Sequence, residues 1–259
     1  MSSPLLVEQE QSVAIITLNK PDRANVLDLP LAQAFLAAVQ AVAANSSVRA
    51  LLITANGKHF CAGGDVHSMQ DGKRSLPVIL EELLLPVHQA IKLVSELSIP
   101  VISAINGPVG GGGIGLALCA DLVLAAESMK LRGGYSAIGL TPDVGSSWFI
   151  TQRAGSARAR QIFLTNRPIL AQECLDWGVV DAVHPDHALN DAARQLAHQL
   201  ANGPSLAQAR IKTLLQLAPL HTLEQHLDLE ASFMLASGDS ADGQEGIKAF
   251  IEKRAAKFL

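Results

Sequence analysis

Two short glycine-rich segments hold the residues whose types and spacing could do chemistry. Phe60-Cys61-Ala62-Gly63-Gly64-Asp65 follows the apolar run at 49–54, and Asn106-Gly107-Pro108-Val109-Gly110-Gly111-Gly112-Gly113 follows the apolar run at 100–105. Each sets small residues at the end of a predicted strand, where the backbone can come close to a ligand and present its N–H groups. If the two strands are neighbours, two N–H donors converge on one oxygen, which is the geometry of an oxyanion hole; losing one such donor typically lowers a rate about 10²–10³-fold. Taken singly, each segment also reads as a tight turn. Gly110, Gly112 and Gly115 match the G-x-G-x-x-G spacing of dinucleotide sites, but the context is wrong. Such a site needs a full crossover helix and an acidic residue about twenty positions on. Here Asp121 opens a new strand soon after Gly115, and position 135 is a tyrosine.

The elements that must position these loops follow from periodicity. Strands are predicted at 5–7, 13–18, 49–54, 100–105, 122–126 and 179–183. Helices are predicted at 29–44, where Asp28 can cap the first turn, and at 76–97, 114–119, 189–201, 206–217, 223–236 and 244–257. Strands alternate with helices early and helices cluster late, giving an α/β core at 1–200 and a helical region at 201–259. The chain has 259 residues, 49% hydrophobic and 17% charged, with a formal net charge of −4. The charged share is low against the usual one of about 25%, so the chain has a large core or hides surface against copies of itself. No Lys/Arg block offers nucleic acid a positive face. Three widely spaced cysteines fit neither a disulfide framework nor a four-ligand zinc site, and point to a reducing compartment. The first residues lack a basic stretch and are not expected to be a signal peptide. The uncharged run 97–120 is long enough to span a bilayer, but Pro100, Asn106, Gly107 and Pro108 would break it. Cys61 reads as a small buried apolar residue. His184 and His187 read as solvated loop rather than metal ligands, and Asp65 as fixing its loop through backbone N–H groups.

FCAGGD, INGPVGGGGIGLALCAD, GLTPDVG and EGIKAFIEKRAAKF, in this order and spacing, resemble the crotonase (enoyl-CoA hydratase/isomerase) superfamily over nearly the whole chain. The resemblance implies a crotonase-like spiral of ββα units with a C-terminal helical trimerisation region. The assembly would be a homotrimer or a dimer of trimers in the cytoplasm, without nucleic acid or membrane as partner. The substrate would be an acyl-CoA, with coenzyme A as part of it and no separate cofactor or metal. The thioester oxygen would be held by the N–H groups of Gly64 and Gly112, the latter near the start of a short helix. Arg23, Ala24, Ala62, Asp65, Val66, Gly111, Gly115, Tyr135 and Leu140 would line the substrate; apart from the resemblance, Arg23 reads as a phosphate partner or as an ordinary solvated arginine.

Two-glutamate hydratases of this family carry carboxylates at the positions of Gly115 and Tyr135, and both are absent here. Asp143, in Gly139-Leu140-Thr141-Pro142-Asp143-Val144-Gly145, stands where the family's isomerases carry an acid, and the Ser-Ser-Trp-Phe after it resembles the phenylacetyl-CoA pathway isomerases. One carboxylate beside a polarised thioester can move a proton between the α and γ carbons, shifting a β,γ double bond to α,β. An apolar wall from Leu140, Val144 and Trp148 would raise its pKa usefully. The plainer role for Asp143 is to cap a helix starting near Val144. Tyr135 could orient the acyl group or simply pack. Other CoA-thioester chemistry, such as hydration or hydrolysis, or a non-catalytic acyl-CoA or RNA binder, stand as alternatives. The acyl wall is expected from helix 76–97 and from the C-terminal helices, of this chain or of a neighbouring subunit.

Overall fold

A computed structural model describes residues 3–70, 72 and 74–258. In chain order the elements are β1 (Leu5–Glu10), β2 (Val13–Leu18), α1 (Leu29–Ala44), β3 (Ala50–Ala55), α2 (Leu76–Glu96), β4 (Val101–Ile105), β5 (Val109–Gly110), α3 (Gly113–Leu118), β6 (Leu122–Ala126), β7 (Lys130–Arg132), α4 (Ser146–Thr165), β8 (Ile169–Leu170), α5 (Ala171–Asp176), β9 (Ala182–His184), α6 (Leu189–Ala201), α7 (Ser205–Leu217), α8 (Leu223–Gly238) and α9 (Ala241–Glu252). The main sheet runs β1-β2-β3-β4-β6-β9 and a small second sheet runs β5-β7-β8. In the main sheet only the β1–β2 hairpin is antiparallel.

Parallel strands covered on both faces must be apolar at nearly every position, and the runs in β3 and β4 meet that demand. Leu51, Ile53, Val101 and Ile105 face α1 and α2, packing with Phe35, Val39, Val87 and Val94. Leu52, Ile102 and Ala104 face the other way, onto α6. There Leu189, Ala193, Ala197 and Ala201 recur every fourth residue, a narrow stripe of small side chains that lets the helix lie close on the sheet. Asp28 caps α1 as expected, its carboxylate accepting the Leu31 N–H at 3.1 Å.

Several elements depart from the pattern reading. β1 runs on to Glu10 because it pairs residue for residue with β2. The run 179–183 is mostly not a strand. Gly178, at φ 74°, closes α5, and Val179 and Val180 form a buried turn donating to the Cys174 carbonyl, so β9 begins at Ala182. The last helix is shifted from 244–257 to Ala241–Glu252, because Ser240 caps its start and Lys253 takes a left-handed conformation at its end. β5, β7 and β8, two or three residues each, were too short to give a pattern. α7 and α8 contain no buried side chain and α9 only Ala249, so the core lies in the part of the chain up to α6. Among the described residues no helix is long and apolar enough to cross a membrane.

Candidate active site

The two glycine segments meet. β3 and β4 are parallel neighbours, so the loops that leave them run side by side. Cys61 bridges to Val109, with the Gly110 N–H donating to the Cys61 carbonyl at 3.0 Å. A methyl group on Gly63 would stand 2.9 Å from the Gly110 oxygen and 3.2 Å from the Gly111 Cα, so only glycine permits this approach. Gly63 is also at φ 96°. On its other side the first loop is pinned to residues 24–27: the Ala62 N–H donates to Ala24, Leu27 to Gly63, and Asp65 to Leu27. The wholly buried Asn25 locks that segment, donating to the carbonyls of Asn56 and His59 and accepting the Lys20 N–H. Among the described residues the N–H groups of Gly64 and Gly112 have no hydrogen-bond partner. Both glycines line a cavity of about 660 Å³.

Asp143 is the only carboxylate among the described residues that line this cavity. A methyl on Gly112 would lie 3.2 Å from its Oδ1, so acid and backbone donor are neighbours. Oδ1 accepts the Tyr135 hydroxyl at 2.5 Å, and Ser146 Oγ lies 3.2 Å from that hydroxyl and 3.3 Å from the Gly111 carbonyl. Burial pushes the Asp143 carboxyl above its ordinary value, while the Tyr135 hydrogen bond opposes that shift. Burial, with the Asp143 charge behind it, drives Tyr135 far up, so it stays a donor. Burial also raises the Cys61 thiol to about 11, which leaves it a packed apolar group as expected.

The capping role for Asp143 does not hold. Val144 and Gly145 are at φ 53° and 75°, so α4 begins at Ser146 and no side chain caps it. The Asp143 carboxylate turns into the cavity instead. Of the residues expected to line substrate, the structure brings Ala62, Gly64, Val66, Gly111, Gly112, Tyr135 and Leu140 together with Asp143. Arg23, Ala24, Asp65 and Gly115 lie outside the lining. The Asp65 carboxylate takes the Arg23 guanidinium at 2.5 Å, not the backbone N–H groups it was expected to bond. Gly115 is buried behind the site, where a Cβ would fall 1.9 Å from the Val144 carbonyl oxygen. Of the expected wall, Leu140 lines the cavity, Val144 lies buried beneath it, and Trp148 is exposed on the far side beside His88. Leu80 and Leu84 of α2 line the cavity as expected, and no described residue of this chain's own C-terminal helices does.

Two residues of this arrangement were not singled out from sequence. Ser146 follows directly on the Asp143 loop. His88, the one histidine of α2, lies one turn beyond the cavity-lining Leu84 and accepts the Val144 N–H through Nε2 at 3.2 Å. Among the described residues no group of three or more His, Cys, Asp or Glu could hold a metal ion.

The profile of the family described as Enoyl-CoA hydratase/isomerase matches residues 8–259. The chain is 34% identical to the 1,2-epoxyphenylacetyl-CoA isomerase of Escherichia coli (strain K12), covering 98% of this chain and 97% of that one. It is 35% identical to a Rhodobacter capsulatus protein named "Probable enoyl-CoA hydratase", covering 97% and 96%. The crystal structure of an enoyl-CoA hydratase from Polaromonas sp. JS666 superposes with a TM-score of 0.93 at 31% identity, covering 98% of this chain and 99% of that one.

Proposed function

The chain belongs to the enoyl-CoA hydratase/isomerase family, and we propose that within it this protein moves the double bond of an enoyl-CoA from the β,γ to the α,β position, with Asp143 as the proton carrier. The observation that carries the proposal is that one carboxylate faces the cavity together with two unpartnered backbone N–H groups. Gly64 and Gly112 would donate to the thioester oxygen. Asp143 would take a proton from the α carbon; the C–H pair passes into the dienolate and its charge settles on the held oxygen. The same proton returns at the γ carbon, and the carboxylate is regenerated. One negative charge moves from Asp143 to the thioester oxygen and back, so the donors act where charge develops. No cofactor besides the coenzyme A of the substrate is needed.

The environment of Gly115 supports isomerisation over two-glutamate hydration. The Val144 carbonyl occupies the space into which a side chain at position 115 would project, so the first hydratase carboxylate has no room here. For the coenzyme A phosphates, Lys130 and Arg132 line the cavity, whereas Arg23 is engaged by Asp65 and Asp28. We propose that Lys130 and Arg132 meet the phosphates, with the half-exposed Arg23 as a further partner.

The test is to incubate wild type and Asp143→Asn with a β,γ-enoyl-CoA, following conjugated-thioester absorbance and product mass. Conversion without mass gain, lost in the variant, is the expected result. A gain of one water would replace this proposal with a hydratase. Binding without turnover across aliphatic and aromatic-derived ring thioesters would make the protein an acyl-CoA binder.

A further inference from the structure

Ser146 is wholly buried, and its hydroxyl stands between two parts of the site: Tyr135 Oη at 3.2 Å and the Gly111 carbonyl oxygen at 3.3 Å. A serine has one hydrogen and can serve only one of them at a time. Tyr135 also has one hydrogen and three acceptors in reach, Asp143 Oδ1 at 2.5 Å, Ser146 Oγ and, at 3.5 Å, the Asp143 carbonyl oxygen. Two hydrogens thus serve three links, from the carboxyl to the backbone. The Gly111 carbonyl already accepts the Ile114 N–H at 3.0 Å and keeps a second lone pair for Ser146. That carbonyl and the Gly112 N–H are the two ends of one peptide unit, joined by amide resonance.

We propose that Ser146 is a positioning residue that couples the charge on Asp143 to the donor strength of the Gly112 N–H, by turning its hydrogen from Tyr135 to the Gly111 carbonyl when Asp143 takes up the substrate proton. While Asp143 is a carboxylate, the Tyr135 hydrogen bond to it is charge-assisted and wins over Ser146. The tyrosine oxygen is thereby enriched and draws the serine hydrogen. When the proton leaves carbon for the carboxylate, the charge assistance ends. The Tyr135 hydrogen turns to Ser146 Oγ, and the Ser146 hydrogen turns to the Gly111 oxygen. Donation at that oxygen polarises the peptide and makes the Gly112 N–H more positive, at the step when the thioester oxygen carries the enolate charge. The gain belongs to the intermediate and not to bound substrate, which is the kind of interaction that raises kcat.

The inference rests on the proposed roles of Asp143 and Gly112, and its test needs no turnover. Cinnamoyl-CoA has a conjugated thioester but no γ hydrogen, so it cannot isomerise, and its absorption moves to the red when the carbonyl is polarised. It is bound in turn to wild type, Asp143→Asn, Ser146→Ala and the double variant. Asp143→Asn imitates the neutral acid and is expected to increase the red shift over wild type. That increment is expected to vanish when Ser146→Ala is added. If it persists in the double variant, Asp143 acts on the carbonyl through space and the relay is overturned. If wild type binds the probe without any red shift, the oxyanion donors and the relay fall together. If the spectra behave as expected but β,γ-enoyl-CoA is not turned over, the relay stands and the isomerase proposal fails. With turnover established, Ser146→Ala is expected to lower kcat roughly tenfold and leave KM within about twofold.

Discussion

Asp143 is held in a state less favourable than water would give it, and this has consequences for both activity and stability. Burial raises its pKa above the ordinary 3.8, against the opposing effect of the Tyr135 hydrogen bond. Proton abstraction needs the carboxylate, so kcat/KM should fall as pH drops through the raised value. Tyr135→Phe removes a hydrogen bond that favours the charged form while keeping the ring that packs near Phe163. We predict that the acid limb of the kcat/KM profile moves to higher pH by about one unit in that variant. An unmoved limb would mean that a group other than Asp143 sets it. The same shift acts on folding with a definite sign. A carboxyl with a raised folded-state pKa binds its proton more tightly in the folded chain, so stability falls as pH rises from the unfolded pKa through the folded one, and stays lower above it. Asp143→Asn removes that charge. We predict a higher thermal unfolding midpoint than wild type at neutral pH, with the gap closing in acid where both side chains are neutral. The most damaging substitution for the proposed activity is thus expected to stabilise the fold.

At the scale of elements, the loop between β7 and α4 decides where the carboxylate points, and it is held in conformations that local preference disfavours. Val144 is β-branched, wholly buried and at φ 53°, a region such residues rarely enter. Two neighbouring elements hold it there. α2 supplies His88 Nε2 as acceptor for its N–H, and α3 supplies Gly115, whose lack of a side chain makes room for its carbonyl. We predict that His88→Ala lowers kcat and costs about 1–3 kcal/mol by leaving a buried N–H without a partner. His88→Gln, which can still accept, should recover most of both; urea unfolding and steady-state rates measure them. Gly115→Ala should cost roughly 1–3 kcal/mol or more, because its Cβ can fit only if the Val144 loop moves, and kcat should fall with it. This loop marks where the sequence stopped being legible. The glycine at 115 and the acid at 143 are plain in the chain, and their resemblance to a known pattern is readable. That the backbone of 144 fills the space above 115 is not, because it depends on a left-handed valine that no local pattern signals. β3 and β4 were legible for the opposite reason, since a parallel strand buried on both faces writes its burial into every residue.

For the whole molecule, the pattern that gave α7, α8 and α9 is explained only in part inside the chain, where α7 packs on α8 and half-buries Leu214 and Phe233. Their spacing is amphipathic, yet many of the large apolar side chains stand in solvent, with Phe250 at 85%, Leu235 at 76% and Met234 at 74% exposure. Single exposed apolar residues are ordinary, whereas a run of them over three consecutive helices marks a surface meant to be covered. The low charged share of the chain points the same way. We propose that further copies of this chain cover it, in a homotrimer or a dimer of trimers, each large side chain contributing about 1.5–3 kcal/mol when fully buried. The contact and the chemistry are separable in this structure, because Gly64, Gly112, Tyr135 and Asp143 all come from one chain and no described residue of α7–α9 lines the cavity. The variant Phe250→Glu with Ile251→Glu places two charges on the exposed face of α9 and disturbs no buried side chain. Sedimentation velocity should show wild type as a multiple of 27.3 kDa and the variant shifted toward one chain, with unchanged far-ultraviolet circular dichroism. The dissociated variant should still exchange the acidic protons of a bound enoyl-CoA with deuterated water, since its base and both donors are intact. A wild type that sediments as one chain would remove the assembly. A dissociated, folded variant that no longer exchanges would mean that a neighbouring copy completes the site.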